Sequence, residues 1–328
     1  MLRCMQGPWD DRVPLQRARD LRADDPRRAP AREAALEPIR RGVYAPSTAL
    51  VGAGREARYL ARIEAVSVAR SAPMFARESA LALHGIPYGA EPERVFTTGD
   101  RRTAGLKAGV QHARVDLDPE DVTTVHGLRA CTLPYALADV ARRREPRVAV
   151  AAIDAALHAG LVQRGAILTA LDRQGPTGRS RAAAAVAFAD AAAESVGESW
   201  SRVTIRLLGF EAPELQAVVA GGSGRLWRGD FRWRRPGRRP LLGEFDGMQK
   251  YGELAAREGR SGASALAAEK HREDDLRFEH DVARWVWLDV LRPERLEAIL
   301  DRHEVPRIAR RSLWLPDPGP LRASGTRR

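Results

Sequence analysis

The residues of this 328-residue chain best placed to share one chemical task are Asp230, Glu244 and Asp246. From Leu226 to Arg234 the sequence alternates, with Trp227, Gly229, Phe231 and Trp233 facing one way and Arg228, Asp230, Arg232 and Arg234 the other. That is the period of a half-buried strand. Arg235-Pro236-Gly237-Arg238 carries turn chemistry, and Leu241 to Asp246 reads as the return strand. A loop centred on Gly237 sets Asp230 directly opposite Glu244. Opposed Cβ atoms lie about 4.5–5.5 Å apart, and like charges there repel unless a cation stands between them. Asp246 joins the same face by period two. Three converging carboxylates are hard-oxygen ligands for Mg²⁺ or Mn²⁺. The plainer alternative is that Arg228 and Arg232 neutralise the acids, as on any charged face. A two-residue loop on Pro236-Gly237 would shift the register by one and send Asp230 and Glu244 to opposite faces.

The surroundings suit a phosphodiester. Seven arginines and one acid fall between Arg225 and Pro240, among them Arg228, Arg232, Arg234 and Arg235. Beside a carboxylate site, such a run supplies phosphate-binding groups where a metal polarises the ester. Lys250 follows Asp246 by four positions, and Lys270 opens a charged helix through Glu273, Asp274 and Leu276. A lysine can orient the attacking water or stabilise developing negative charge.

The elements that must position these groups occupy residues 196–304. Glu198 to Leu208 is an amphipathic helix, marked by Trp200, Val203, Ile205, Leu207 and Leu208 and ended by Gly209. Glu198 lies in its first turn, where the dipole favours a carboxylate. Val282 to Val290 reads as a strand with Trp285 and Trp287 on one face, both as core, and Arg284 on the other; Pro293 starts a last helix. Residues 56–195 read as an α-rich domain with three short strands, at Arg94–Thr98, Val110–Leu117 and Asp121–Val125. Its histidines, His84, His112, His126 and His158, stand singly and form no metal-ligand spacing. Residues 1–55 read as a basic arm or a degenerate winged helix. Helical stretches at Leu15 to Ala23 and Ala31 to Pro38 precede a strand-turn at Arg40 to Pro46, although Pro26, Pro30 and Pro38 interrupt the helix pattern. Residues 305–328 read as a disordered tail. The expected architecture is α/β (α+β overall), with a mixed sheet flanked by helices at the C-terminal end.

Composition narrows the partners. Hydrophobic residues make up 44% of the chain, enough for packed cores. No apolar run reaches the roughly 18–20 residues of a membrane span, and no charged-then-apolar leader opens the sequence, so a cytoplasmic protein without membrane contact is expected. Cys4 and Cys131 make neither a disulfide framework nor a zinc motif. The formal charge is +11, and only Lys107, Lys250 and Lys270 among the 54 basic residues are lysines. Such an excess favours a polyanion, with DNA foremost. The arginine bias is also what a GC-rich genome produces.

In the order GESW (Gly197–Trp200), GDFRW (Gly229–Trp233), GEFDGMQKY (Gly243–Tyr251), EKHREDDLR (Glu269–Arg277) and VARWVWLDVL (Val282–Leu291), the chain resembles actinobacterial relatives of very-short-patch-repair endonucleases. These belong to the PD-(D/E)XK restriction-endonuclease-like superfamily. RGVYAP, SALALHGIP and the helices after Thr132 are similar, more loosely, to AbiEi-type antitoxins, which pair a winged helix with an α/β domain. The resemblance implies a Mg²⁺-dependent DNA endonuclease. Asp230 and Glu244 would be its metal ligands, Glu198 and Asp246 assisting acids, Lys250 the cation that places water, and Arg272 and Arg284 flanking basic residues. Asp246 departs from the pattern, standing where the superfamily often has lysine; Lys250 stands where closer relatives have histidine. The other implied function is a non-catalytic antitoxin or transcriptional regulator with a degenerate nuclease fold, with a cognate toxin as its partner.

Overall fold

A computed structural model describes residues 12–20, 35–89, 92–99, 104–247 and 262–308, with backbone alone for 262–269. The chain divides into two compact units: Met1–Arg143 with Val162–Ala182, and Arg144–Leu161 with Ala183–Arg328. Mixed sheets flanked by helices make the class α+β. Among the described residues no helix is long and apolar enough to cross a membrane.

The first unit opens on a three-stranded antiparallel sheet of order β1-β3-β2, made of β1 (Gln16–Arg17), β2 (Leu36–Arg40) and β3 (Val43–Pro46). The helices expected at Leu15 to Ala23 and Ala31 to Pro38 are therefore corrected where they are described. Gln16–Arg17 is a strand, Ala18–Asp20 a single 3₁₀ turn and Leu36–Arg40 a strand. Pro38 explains part of this. It cannot donate within a helix, but it is tolerated on β2, which is an edge strand with a bulge between Pro38 and Arg40. The strand-turn expected at Arg40 to Pro46 is present as the turn at Gly42, with φ 77°, and strand β3.

Helices α1 (Ser47–Gly52) and α2 (Arg55–Ala69) follow. The latter buries Tyr59, Leu60, Ile63 and Val66, the stripe its periodicity predicts. A six-stranded mixed sheet of order β6-β7-β5-β4-β9-β8 then dominates the unit. Its strands are β4 (Met74–Phe75), β5 (Val95–Gly99), β6 (Gly105–Lys107), β7 (Val110–Arg114), β8 (Val122–Val125) and β9 (Leu128–Cys131). The α-rich reading of this region thus understated its β content. The three strands it missed, β4, β6 and β9, are only two to four residues long, too short for alternation to reveal them. Helices α3 (Arg77–Leu83), α4 (Leu133–Arg143) and α6 (Arg164–Asp172) complete the unit. Buried Asp121 takes a two-pronged hydrogen bond from Arg173, at 2.6 and 2.9 Å.

The second unit recruits α5 (Pro146–His158), which the sequence reading placed in the middle domain. Ten of its thirteen residues are buried, including Arg147 and Asp154. A helix that is apolar nearly all round must be enclosed. It packs on α8 (Val196–Leu207), and the unit boundary falls within α7 (Arg179–Phe188). Strands β10 (Glu214–Ala220), β11 (Leu226–Trp233), β12 (Leu241–Asp246) and β13 (Asp281–Val286) form a sheet in that order. The first three run antiparallel, and β13 is parallel to β12 after the helical connection α9 (Gly262–Glu279).

Helix α8 covers one sheet face, where Gly197 lies against the Phe245 ring and the Trp285 indole donates to Ser201 Oγ at 2.9 Å. On the other face Leu276 of α9 packs with Ala217, Val219 and Leu242. The expected strand from Val282 to Val290 ends at Val286, and Trp287–Leu291 is helix α10. Asp289 explains the stop, because its Oδ2 accepts the Val286 N–H at 3.0 Å and caps the new helix. Trp285 is buried in the core, as expected, against Phe231 and Trp233.

Helix α11 (Pro293–Arg302) ends the unit, but residues 305–308 are not a free tail. Val305 is buried, Arg307 bridges to Phe210, and the Arg307 guanidinium stacks on the Phe210 ring while pairing with Glu297 and Asp301. Residues 309–328 of the expected tail lie outside the described residues.

Candidate functional site

The β11–β12 hairpin has the register that a loop centred on Gly237 dictates. Phe231 pairs with Gly243, Arg232 with Leu242 and Trp233 with Leu241, and Gly237 turns with φ 71°. Pairing stops at the next step. There the Asp230 carboxylate accepts the backbone N–H of Phe245 at 2.9 Å, in place of a strand-to-strand bond. The ladder to β10 also skips this position, because Gln216 across from Asp230 has φ 50°, a strained value for a side-chain-bearing residue. Alternation breaks here as well. Trp227 packs with Leu276 and Leu242, whereas Phe231 and Trp233 pack with Trp285 on the opposite face. The single-face reading of Trp227, Phe231 and Trp233 is corrected by this irregularity, which only pairing on both sides of β11 discloses.

The acids singled out by the sequence are differently engaged. Glu244 is buried and clamped by two guanidinium groups: Arg272 Nη2 donates to Oε1 at 2.6 Å, and Arg284 Nη2 lies 3.0 Å from Oε2. Arg284 stands beside Glu244 in the parallel β12–β13 register, and its other terminal nitrogen reaches Glu273 at 3.4 Å. Arg272 also donates to the Arg228 carbonyl at 3.0 Å, filling the gap between β11 and β12. Glu198 is occupied by three donors: the Ser195 hydroxyl at 2.7 Å, the Glu194 N–H at 3.1 Å and Gln216 Nε2 at 2.7 Å. With Ser195 accepting the Glu198 N–H, this is a reciprocal helix cap, and it gives Glu198 a structural task. Asp246 is half-buried at the end of β12. Lys250 lies outside the described residues.

A metal would have to compete with the partners these carboxylates already hold. Both Glu244 oxygens face arginine, Glu198 accepts three hydrogen bonds, and one Asp230 oxygen holds the backbone. Among the described residues no group of three or more His, Cys, Asp or Glu is arranged to hold an ion. The residues present therefore do not fit a Mg²⁺ or Mn²⁺ centre as they stand.

The basic candidates separate just as clearly. Arg228 forms a two-pronged pair with Glu194 at 2.8 Å, and Arg232 pairs with Glu214, its neighbour across the β10–β11 ladder. Arg234 and Lys270 are exposed. Arg235 is buried, and this corrects its assignment to a nucleic-acid surface. Its guanidinium donates to the Arg239 and His303 carbonyls and to Asp281, holding that carboxyl below the usual range. Replacing Arg235 by alanine is expected to cost about 2 kcal/mol, because buried carbonyls lose a charged donor. Urea denaturation followed by tryptophan fluorescence measures it.

Sequence reasoning missed Gln216, Glu273 and Asp275. Asp275 seats the β10–β11 turn on α9, accepting from the Trp227 indole at 2.6 Å, Ser223 N at 2.7 Å and Ser223 Oγ at 2.9 Å. These bonds, the indole's first, keep its carboxyl acidic. Its place in the EDD run offered a signal; nothing in the sequence singled out Gln216.

Fold and site together define an α+β protein whose second unit is a mixed sheet between helices, with an arginine-clamped glutamate at a break in pairing. No protein-family model matches the chain. It is similar to two uncharacterized proteins of Mycobacterium tuberculosis, MT2308 of strain CDC 1551 and Rv2248 of strain H37Rv. Each is 34% identical over 161 residues, covering 48% of this chain and 54% of the relative. The chain thus spans about half the length of the curated relatives it matches.

Proposed function

We propose that this protein is a non-catalytic DNA-binding regulator of the AbiEi antitoxin type, whose C-terminal unit is a degenerate restriction-endonuclease-like domain working in the cytoplasm. The clamp on Glu244 carries this reading: Arg272 and Arg284 occupy both oxygens of the carboxylate that the resemblance assigns to metal. Two guanidinium groups supply the positive charge that a divalent ion would otherwise bring to this acid. The net charge of +11 supports a polyanionic partner. Duplex binding by fluorescence anisotropy is expected to persist in EDTA and to gain nothing from Mg²⁺ at matched ionic strength, and supercoiled plasmid is expected to stay intact in either Mg²⁺ or Mn²⁺. A cognate toxin encoded beside this gene is expected to co-purify with the full chain when the two are co-expressed.

A Mg²⁺-dependent endonuclease is the second reading. The observation favouring it is that β11–β12 pairing stops at Asp230, whose carboxylate accepts the N–H of Phe245, the residue next to Glu244. Metal-dependent cleavage that disappears in both Asp230→Ala and Glu244→Ala would establish this reading and overturn the first.

A further inference from the structure

We infer that the arginine-rich turn between β11 and β12, together with the ends of α9 and α11, is the surface of the C-terminal unit that contacts the phosphodiester backbone of DNA. The inference rests on the DNA-binding reading above and adds to it a place on the molecule. From Arg234 to Pro240 the chain carries four arginines and no acid. The structure gives them two different tasks. Arg235 is buried and builds the turn, whereas Arg234, Arg238 and Arg239 are exposed. The surface sits at the turn end of the two strands. The Glu244 clamp lies three residues past Leu241, about 10 Å along β12.

The buried arginine gathers the elements that carry the exposed ones. Its guanidinium donates to the Arg239 carbonyl at 3.0 Å within the turn, to the His303 carbonyl at 2.6 Å at the end of α11, and to Asp281 at the start of β13. Arg239 in turn donates to the Arg277 carbonyl of α9 at 3.1 Å. Two helix C-termini meet here, each with leftover carbonyls and a negative dipole end, and arginine already answers both. What is left at the surface is positive. Arg238 pairs with Glu304 at 2.7 Å and Arg277 with Glu273. Arg234 and Arg302 are exposed and have no acidic partner among the described residues, and Arg239 spends a single N–H. Three cations from β11, the turn and α11 are thus held around one buried centre, an arrangement that is electrostatically costly unless an anion approaches. The His303 imidazole registers the excess. Burial first, then the charges of Arg235, Arg302 and Arg277 against the opposing Asp281, hold it below its ordinary value. Planar guanidinium forks match phosphate oxygens two at a time, which suits this surface to a nucleic-acid backbone.

The test uses the full chain and a labelled duplex of about 20 base pairs, with anisotropy measured from about 50 to 200 mM salt. Arg234→Ala is expected to weaken binding about three- to tenfold and to lower the log–log salt slope by about 1. Arg234→Ala combined with Arg302→Ala is expected to lower the slope by about 2. Replacing the same two residues by lysine keeps their charge and is expected to keep the slope, which separates phosphate contact from any loss of fold. Lys270→Ala removes an exposed charge farther up α9 and is expected to leave affinity and slope nearly unchanged. A double alanine variant with wild-type affinity and slope, or a Lys270 variant that loses as much as Arg234→Ala, overturns the surface while the DNA-binding reading stands. If the wild type binds no duplex, both fall. Phosphatidylglycerol vesicles that hold the wild type but not the double alanine variant, with duplex affinity unaltered in that variant, would overturn the DNA assignment and make this surface a membrane contact.

Discussion

Gly243→Ala is expected to destabilise the C-terminal unit by about 3 kcal/mol, seen as a lower urea midpoint with an unchanged slope. A Cβ built on Gly243 would lie 2.5 Å from the Trp285 ring and 2.9 Å from the Trp233 ring. Neither ring can retreat. Trp285 and Trp233 are fully buried, packed on Phe231 with centroids 5.2 and 6.2 Å away, and the Trp285 indole is tethered to Ser201. The added methyl must push apart a cluster that joins β11, β12 and β13 to α8, and close-packed interiors transmit such strain. The glycine immediately precedes Glu244, so the variant is also expected to loosen the Arg272–Glu244–Arg284 clamp. Backbone amide exchange at Glu244 and Phe245 would report this. A midpoint equal to that of wild type would show that the cluster has room the structure does not reveal.

Asp154→Ala is expected to cost about 3–5 kcal/mol near neutral pH, by the same denaturation measurement. Asp154 is wholly buried on α5. Its Oδ2 accepts from Arg202 at 2.7 Å and from Ser199 Oγ at 2.8 Å, and its Oδ1 accepts the Asp190 N–H at 2.7 Å. Truncation strands a buried guanidinium and two further donors between α5 and α8, and a buried charge that loses its partner is far costlier than an exposed one. Burial pushes the Asp154 carboxyl up to about 6, against the opposing pull of Arg202. The sign of the pH effect follows. Between the unfolded carboxyl's ordinary value near 3.8 and about 6, the folded state holds a proton that the unfolded state has released, so this residue's contribution falls as pH rises through that window. Asp154→Asn keeps the shape but does not titrate, and is expected to flatten that limb of the stability profile. An Asn variant with the wild-type profile would place the titration elsewhere.

The two predictions involve residues of very different legibility. Gly243 sits inside GEFDG, a segment that alternation and turn chemistry had already assigned to a strand, yet nothing local says that two tryptophans converge on its Cα. Asp154 is one acid in an alanine-rich helix, and its partner Arg202 lies 48 positions away. Burial on all sides is what makes the pair matter, and burial is a property of the assembled unit.

Local physics did determine much of this protein from sequence alone. Helical spacing marked α2 and α8, Gly209 marked the end of α8, and alternation with turn chemistry marked the β11–β12 hairpin, whose register the sequence left open between two loops. Each of these depends on interactions spanning a few residues, so the sequence alone carries the signal. Tertiary structure alone decided the rest. The parallel partner β13 and helix α9 brought Arg284 and Arg272 onto Glu244, pairing failed at Asp230 on both flanks, and Arg235 went into the interior while its neighbour Arg234 stayed at the surface. Charge runs and alternation state which chemistry is available. Whether a carboxylate meets a metal or an arginine depends on long-range packing, which sets which opposite charge arrives first at close range in a poorly hydrated site.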